Sequence, residues 1–329
     1  MAAVGIKDVA EKAKVSVTTV SRVLNKRGYI SEETYRKVYD AIEELNYTPN
    51  QLARSLFRQK SDVIGLVIPD VSHPFFCEMT KNIETLLYEK NYKLLLCNTI
   101  GKSNRERDYI RTLKQNQVDG IIIGSHTLKI DEYLKLKLPI VSLDMNFGES
   151  IFSVMSDHEM GGKMAAKCLI ANGCKNVVQI MGDIQVSTPS HQRHFAFEQE
   201  MKAHGIKCRT IELKKLEFDF ESYDTVIDQI LTENTVIDGF FSVDLIAAKF
   251  IKRAVDLNYK IPEQIKVVGY DGTYIASLYN PQITTIRQPI ELLASSAVEN
   301  IIKLINGEQA GGNLAVHPVT LAPGQTTIR

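Results

Sequence analysis

Cysteine is scarce and unpatterned in this sequence: Cys77, Cys97, Cys168, Cys174 and Cys208 are odd in number, widely spread and include no CxxC pair. That excludes a disulfide framework and reads as reduced thiols, mostly in the core. Long apolar runs are missing too. Nothing approaches the roughly 18 residues a membrane span requires, and the opening "MAAVGIKDVAEKAK" lacks the apolar segment of a secretion signal. The cytoplasm is the expected compartment. Enzyme signatures are absent: there is no GxSxG elbow, no HExxH and no GxGxxG, and "GGKM" at 161–164 lacks the upstream Gly and the Ser/Thr of a phosphate loop. Neither a repeat of roughly 20–50 residues nor a low-complexity tract occurs. Finally, there is no net charge, since 39 Lys and Arg balance 39 Asp and Glu, which at first sight speaks against a nucleic-acid partner.

That balance conceals an uneven distribution. Residues 1–60 hold 11 Lys/Arg against 7 Asp/Glu, and the other 269 hold 28 against 32. A small basic head therefore precedes a mildly acidic body. With 329 residues, 44% of them apolar and 24% charged, the chain has material for two or three folding units with large cores.

Apolar spacing predicts three short helices in the head, over 6–13, 17–25 and 31–45, the last opened by Ser31 with Glu32 and Glu33 in its first turn. Their apolar residues (Ile6, Val9, Ala10, Val20, Val23, Val38, Ile42, Leu45) suffice for one small core. Next comes "NYTPNQLARSLFRQKS", in which Pro49 ends what precedes and a short amphipathic stretch, 50–58, follows. It is shorter than the ~12–15 residues at which an isolated helix becomes marginal in water, so it is a linker that folds only against something else.

From Val63 the rhythm changes. "VIGLVIP", "KLLLCN", "DGIIIGS", "PIVSLD", "VVQIMGD", "DGFFSVD" and "KVVGYDG" are short apolar runs separated by helix-like stretches. Runs without alternation that recur between helices predict parallel strands covered on both faces, and the count suits two α/β lobes.

The stretch "DVAEKAKVSVTTVSRVLN" places two helices around a turn of three to four residues, with Ala10 small enough for a close crossing and Val15 expected beneath the turn. This is the helix-turn-helix arrangement, whose second helix enters the major groove. Val17, Thr18 and Arg22 then point outward: Val17 and the Thr18 methyl suit thymine methyls, the Thr18 hydroxyl suits base or phosphate, and the Arg22 fork matches guanine O6 and N7. Thr19, Ser21 and Asn25 complete the expected contact set. An ordinary amphipathic hairpin is the alternative.

"IKDVAEKAKVSVTTVSRVLN", "YTPNQLARSL", "VIGLVIPDVSHPFF", "GYDG" and "TTIRQP", in that order, resemble the lactose-repressor-type (LacI) family of bacterial transcription regulators over essentially the whole chain. Within it, "CNTIGKSNRERDYIRTLKQNQVDGIIIGSHTL" and "GYDGTYIASLYNPQITTIRQP" are most similar to sucrose-operon repressors. The resemblance implies an all-α helix-turn-helix head over 1–48, a hinge helix and linker over 49–61, and a body over 62–329. That body is periplasmic-binding-protein-like, α/β, with two lobes of parallel sheets: an N-lobe near 62–159 and 288–318, and a C-lobe near 160–287 and 319–329. It further implies a homodimer on double-stranded operator DNA, with Asn50, Ala53 and Leu56 of the paired hinge helices in the minor groove and Leu56 as a wedge that unstacks a base step. The alternative is that Leu56 packs on the adjoining lobe.

The same resemblance implies a sugar or sugar-phosphate effector in the interlobe cleft at the strand ends. Asp70, Asp144, Asp244 and Asp271 each follow an apolar run and can accept bonds from adjacent hydroxyls, although for any one of them helix capping competes. Arg193 in "SHQRHFAF" matches the family's cleft arginine and can donate two parallel bonds. Phe75, Phe76 and Phe218 offer apolar faces for a sugar ring, and His126 and Gln288 complete the expected set. The chain departs from the family pattern at Lys14 (usually Gly), His73 and His158 (often Asn), Met145 (usually Arg) and Val243 (commonly Asn), which leaves the sugar open. His191 and His194 lack the convergent ligands of a metal site, and neither metal nor cofactor is expected. The leading expectation is a sugar-released repressor. A catabolite-control regulator with a phosphorylated carrier protein as corepressor, a sugar-transport component and a sugar-processing enzyme are the alternatives.

Overall fold

The structure is a computed structural model, and it describes every residue except 1–3, 26–27, 49–59, 126, 186–187, 214–221, 234–235, 310 and 328–329. Its contacts divide the chain into two units, Met1–Ser61 and Asp62–Arg329.

The first unit is helical: α1 (Ile6–Lys12), α2 (Val17–Leu24) and α3 (Glu32–Glu44). Ser16 caps α2 by accepting from the Thr19 N–H, and Ser31 caps α3 by accepting from the Thr34 N–H. Val9, Ala10, Val20, Val23 and Val38 are buried between the helices, with Ile6, Ile42 and Leu45 partly buried around them. The Tyr35 hydroxyl ties α3 to α2 through the Val23 carbonyl, at 3.3 Å. Between α1 and α2, Lys14 is left-handed, with φ 55°. Its N–H reaches the Glu11 carbonyl and that of Val15 reaches the Ala10 carbonyl, the bond pair of a Schellman stop. A lysine in that conformation costs about 1 kcal/mol against glycine. Ala13, not Val15, is the buried residue of the turn; Val15 is only half-buried.

The second unit holds two six-stranded sheets. One contains β1 (Val63–Ile68), β2 (Lys93–Asn98), β3 (Gly120–Ile123), β4 (Ile140–Leu143), β5 (Phe152–Ser156) and β11 (Leu314–His317), in the order β11-β5-β4-β3-β1-β2. All of its pairings are parallel. The other contains β6 (Asn176–Met181), β7 (Lys207–Glu212), β8 (Gly239–Phe241), β9 (Lys266–Asp271), β10 (Thr284–Arg287) and β12 (Thr320–Ala322), in the order β12-β10-β9-β8-β6-β7. Here only β12 runs antiparallel, against β10. The chain passes between the sheets three times, after β5, after β10 and after β11.

Helices cover both faces, as uninterrupted apolar strands require. In β1, Ile64, Leu66 and Ile68 pack with Met79, Ile83 and Leu87 of α4 (Pro74–Glu89) and with Leu293, Ala297 and Ile301 of α12 (Ile290–Ile305). Val67 faces the other way, with Ile110 and Leu113 of α5 (Ser103–Gln115). A short α6 (Ile130–Leu134) precedes β4. In the second lobe α7 (His158–Ala171), α8 (Gln192–Ala203), α9 (Ser222–Thr232), α10 (Asp244–Asp256) and α11 (Tyr274–Leu278) surround the sheet. Phe240 stacks on Phe250 at 3.8 Å and Phe241 on Phe197 at 4.5 Å, one pair on each face.

All seven predicted runs are strands, with one correction. "KLLLCN" is not covered on both faces, because β2 is the sheet edge; Leu95 and Leu96 remain 37% and 38% exposed. Among the described residues, no helix is long and apolar enough to cross a membrane.

Candidate DNA-contact face and interlobe cleft

On α2 the 3.6-residue period separates two faces. Val20 and Val23 are fully buried, while Val17, Thr18 and Arg22 are exposed together on the opposite side. Thr19 is half-buried, with its hydroxyl bonded to Ser16 Oγ at 2.8 Å. Asn25 folds back on the helix, donating to the Ser21 carbonyl at 2.8 Å and reaching Ser21 Oγ at 3.3 Å. The outward face is thus Val17, Thr18 and Arg22, and Thr19, Ser21 and Asn25 shape the helix that carries it. Asn50, Ala53 and Leu56 lie outside the described residues.

In the second unit the carboxyl ends of both sheets converge on a cavity of about 230 Å³. The first lobe contributes Phe75 and Phe76 from the first turn of α4, Ser125 and Thr127 after β3, and Asp144 after β4. The second contributes Arg193 and His194 from α8, His191 just before it, and Asp271 at the end of β9; Gln288 stands at the crossing after β10. Phe75 and Phe76 meet edge to face at 5.2 Å. Asp144 and Asp271 both have positive φ, 58° and 110°, and backbone strain of this kind concentrates at functional sites.

A chain of contacts holds the polar groups. His158 Nε2 lies 2.5 Å from Asp144 Oδ1 and its Nδ1 2.9 Å from the Tyr270 hydroxyl, linking the two lobes. The Arg193 guanidinium sits over the Tyr270 ring at 4.4 Å, with Nη1 3.9 Å from Asp271 Oδ1. Gln288 Nε2 donates to the same Asp271 oxygen at 2.8 Å. His194 Nδ1 is 2.9 Å from Gln179 Oε1. Burial, above all, holds His73, His191 and His194 below the usual imidazole range, so all three are neutral at pH 7.

Of the expected cleft residues, the structure brings together Phe75, Phe76, Asp144, Arg193, Asp271 and Gln288. His126 and Phe218 lie outside the described residues. Two of the expected aspartates, Asp70 and Asp244, are not among the described lining residues of the cavity. Asp70 Oδ1 accepts from the Ser72 N–H at 2.9 Å, so its carboxylate closes the turn before α4. Asp244 is 1% exposed and turned inward, accepting from the Thr273 N–H at 2.7 Å, the Thr273 hydroxyl at 3.0 Å and the Thr285 hydroxyl at 2.6 Å. Val243 lines the cleft in its place. His158 and Tyr270 were not anticipated as site residues; the only sign was the departure from the family pattern at His158.

Burial, reinforced by the neighbouring Asp271 carboxylate, raises the Asp244 pKa to about 8. A raised acid binds its proton in the folded state when the unfolded chain has already lost it. Its contribution to stability is full below about pH 4 and is lost as pH rises from about 4 through 8. Scanning calorimetry from pH 5 to 9 should therefore show Tm declining more steeply in wild type than in Asp244→Asn. Parallel curves would refute the shift.

A larger cavity of about 720 Å³ lies at the opposite ends of β4 and β5, lined by Leu134, Lys137, Pro139, Phe152 and Leu304 among others. Its described lining carries Glu149, Glu308 and Lys137 but no guanidinium.

Comparison with known proteins places this geometry. Residues 5–50 match the family described as bacterial regulatory proteins, lacI family, and residues 166–327 match the periplasmic binding protein-like domain. The sucrose operon repressor of Streptococcus mutans is 39% identical over 97% of this chain and 98% of its own. The lac repressor dimer bound to operator and the anti-inducer ONPF superposes with TM-score 0.86 and 25% identity, covering 99% of this chain and 100% of that one. A periplasmic binding protein/LacI transcriptional regulator from Alkaliphilus metalliredigens complexed with D-xylulofuranose has TM-score 0.75 and 31% identity, covering 82% and 100%. With a helix-turn-helix unit, a two-lobe body open at its strand ends and near full-length identity of this order, the chain belongs to the lacI family of bacterial regulatory proteins.

Proposed function

We propose that this protein is a cytoplasmic, homodimeric repressor of a sugar-utilisation operon, sucrose or a related sugar, released from its operator when the sugar enters the cleft. The observation that carries the reading is the Asp144, Arg193 and Asp271 cluster in a chain that also presents the Val17, Thr18 and Arg22 face. Carboxylates flanking a guanidinium accept and donate to neighbouring hydroxyls, and the Phe75–Phe76 pair suits the apolar face of a sugar ring. Among the described lining residues the acids Asp144, Asp183 and Asp271 face one guanidinium, Arg193. That balance favours a neutral sugar over its phosphate ester.

A dimer is supported by apolar surface left open on both lobes: Leu95 and Leu96 on the edge strand β2, and Val255 and Leu278, 52% and 77% exposed, on the adjoining α10 and α11. Two-fold symmetry then calls for a pseudo-palindromic operator, with residues 49–61 as the hinge between head and body.

The test is a gel-shift titration of operator against sucrose, D-fructose, D-ribose and D-xylulose. At least one sugar should release the DNA, and no release by any of them would overturn the reading. Arg22→Ala should lose about 1–3 kcal/mol on the cognate site and bind random DNA nearly unchanged. Equal losses on both would remove its base-reading role.

A further inference from the structure

The turn after β3 forms one wall of the cleft, and its hydroxyls have their hydrogens assigned. Glu106 on α5 is fully buried, and its carboxylate gathers four donors. Oε2 accepts from Ser125 Oγ at 2.7 Å, from the Thr127 N–H at 3.2 Å and from Thr127 Oγ1 at 2.6 Å; Oε1 accepts from the Tyr133 hydroxyl. Thr99 Oγ1 adds a contact to Ser125 Oγ at 3.0 Å from below. A carboxylate has no hydrogen to give, so in the bonds to Glu106 it is Ser125 and Thr127 that donate, while the Thr99 hydroxyl also reaches the Ile68 carbonyl at 3.2 Å. Ser125 and Thr127 also line the cleft, and what they have left to offer there is lone pairs.

Packing alone gives no reason for a carboxylate at this place. A buried charge is desolvated at a cost that an apolar residue of the same volume avoids, and such a replacement is often neutral or stabilising. What an apolar residue could not do is set the direction of the hydroxyl hydrogens and hold the Thr127 backbone. On the other side of the cleft Arg193 has only hydrogens to give.

We propose that Glu106 is a positioning residue that presets the Ser125 and Thr127 hydroxyls as hydrogen-bond acceptors, so that the cleft selects and orients a ligand by the hydroxyl hydrogens it offers there. This rests on the reading of the cleft as a sugar site.

Titration calorimetry on the full-length protein tests it with sucrose, D-fructose, D-ribose and D-xylulose, and then with the monodeoxyfluoro analogues of the tightest binder, since fluorine cannot donate. In wild type at least one fluorinated position should bind about tenfold more weakly. Thr127→Val, which keeps the shape and drops the hydroxyl, should bind the parent sugar about tenfold more weakly and show no further loss with that analogue. Glu106→Leu should also lose about tenfold in sugar affinity with operator affinity unchanged. Glu106→Gln should stay within about threefold of wild type, because its amide oxygen still accepts from Ser125 and Thr127 while its NH2 turns to Tyr133. If wild type binds sugar and Thr127→Val binds it equally well, or the fluorine and Thr127→Val losses simply add, the proposal is overturned while the sugar site stands. If wild type binds none of the sugars, the sugar reading falls and the proposal with it.

Discussion

Replacing Gly162 by alanine should lower the melting temperature of the protein by roughly 6–12 °C and weaken sugar binding in the same step. Gly162 lies in α7 where α8 crosses it, and a Cβ there would stand 2.0 Å from the Arg193 carbonyl oxygen and 2.7 Å from its carbon. Nothing at that contact is a flexible side-chain end; backbone meets backbone, so the helices must part. Overpacking of this kind costs about 3 kcal/mol, and a body of this size loses about 2–4 °C per kcal/mol. Because the displaced segment is the one that carries Arg193, the site is damaged along with the fold. A melting temperature within a degree of wild type, by differential scanning fluorimetry, would show that α7 and α8 separate without penalty.

Arg193→Ala should abolish release by sugar and leave operator affinity in the absence of sugar unchanged. In the proposed site the guanidinium is the donor of charge-assisted bonds to the ligand, and it is the chief influence opposing the upward shift of the Asp271 pKa that burial imposes. Without it the buried Asp271 carboxylate, 3% exposed, loses that opposing charge. The expected loss is about 2–4 kcal/mol, or roughly 30- to 700-fold in sugar affinity. The wild-type protein provides the reference: sugar and operator should weaken each other by one common factor, as linkage demands, within the usual range of about 5- to 150-fold. Undiminished sugar affinity in Arg193→Ala by titration calorimetry would remove Arg193 from the site.

Both predictions bear on what was legible in the residues alone. The head was readable because its signals are local: the Val20 and Val23 spacing, the Ser16 and Ser31 caps and the exposed Val17–Arg22 face all lie within one or two turns of each other. The central strands were readable because burial on both faces demands uninterrupted apolar runs. By contrast β5, "FSVMS", and β10, "TTIR", are broken by polar residues, and β7, β11 and β12 are sheet-edge strands with partial burial, so none of them leaves such a run. Within the site, Asp144, Asp244 and Asp271 look alike in sequence, each closing an apolar segment. Only the fold separates them, because the donors that turn Asp244 inward come from Thr273 and Thr285, some 29 and 41 residues away. The pair Gly161–Gly162 did carry a local sign. Two glycines inside a helix cost about 1 kcal/mol each against alanine, which calls for a close approach, but the sequence does not say of what.

The way the chain closes its sheets has a consequence for how the protein is made. Leu314 pairs with Ser153 and Arg287 with Thr320, and Thr326, fully buried, accepts the Val267 N–H through its carbonyl. Each lobe therefore receives a strand from the last 16 residues of the chain. During synthesis the helical head, whose core lies wholly within its first 47 residues, can fold as soon as it leaves the ribosome. Both lobes must wait, partly assembled, until residues 314–326 have been made. For most of that interval the nascent protein has a finished DNA-reading unit and an unfinished sugar site, and the late non-local pairings make completion of the lobes the slow stage of its biogenesis.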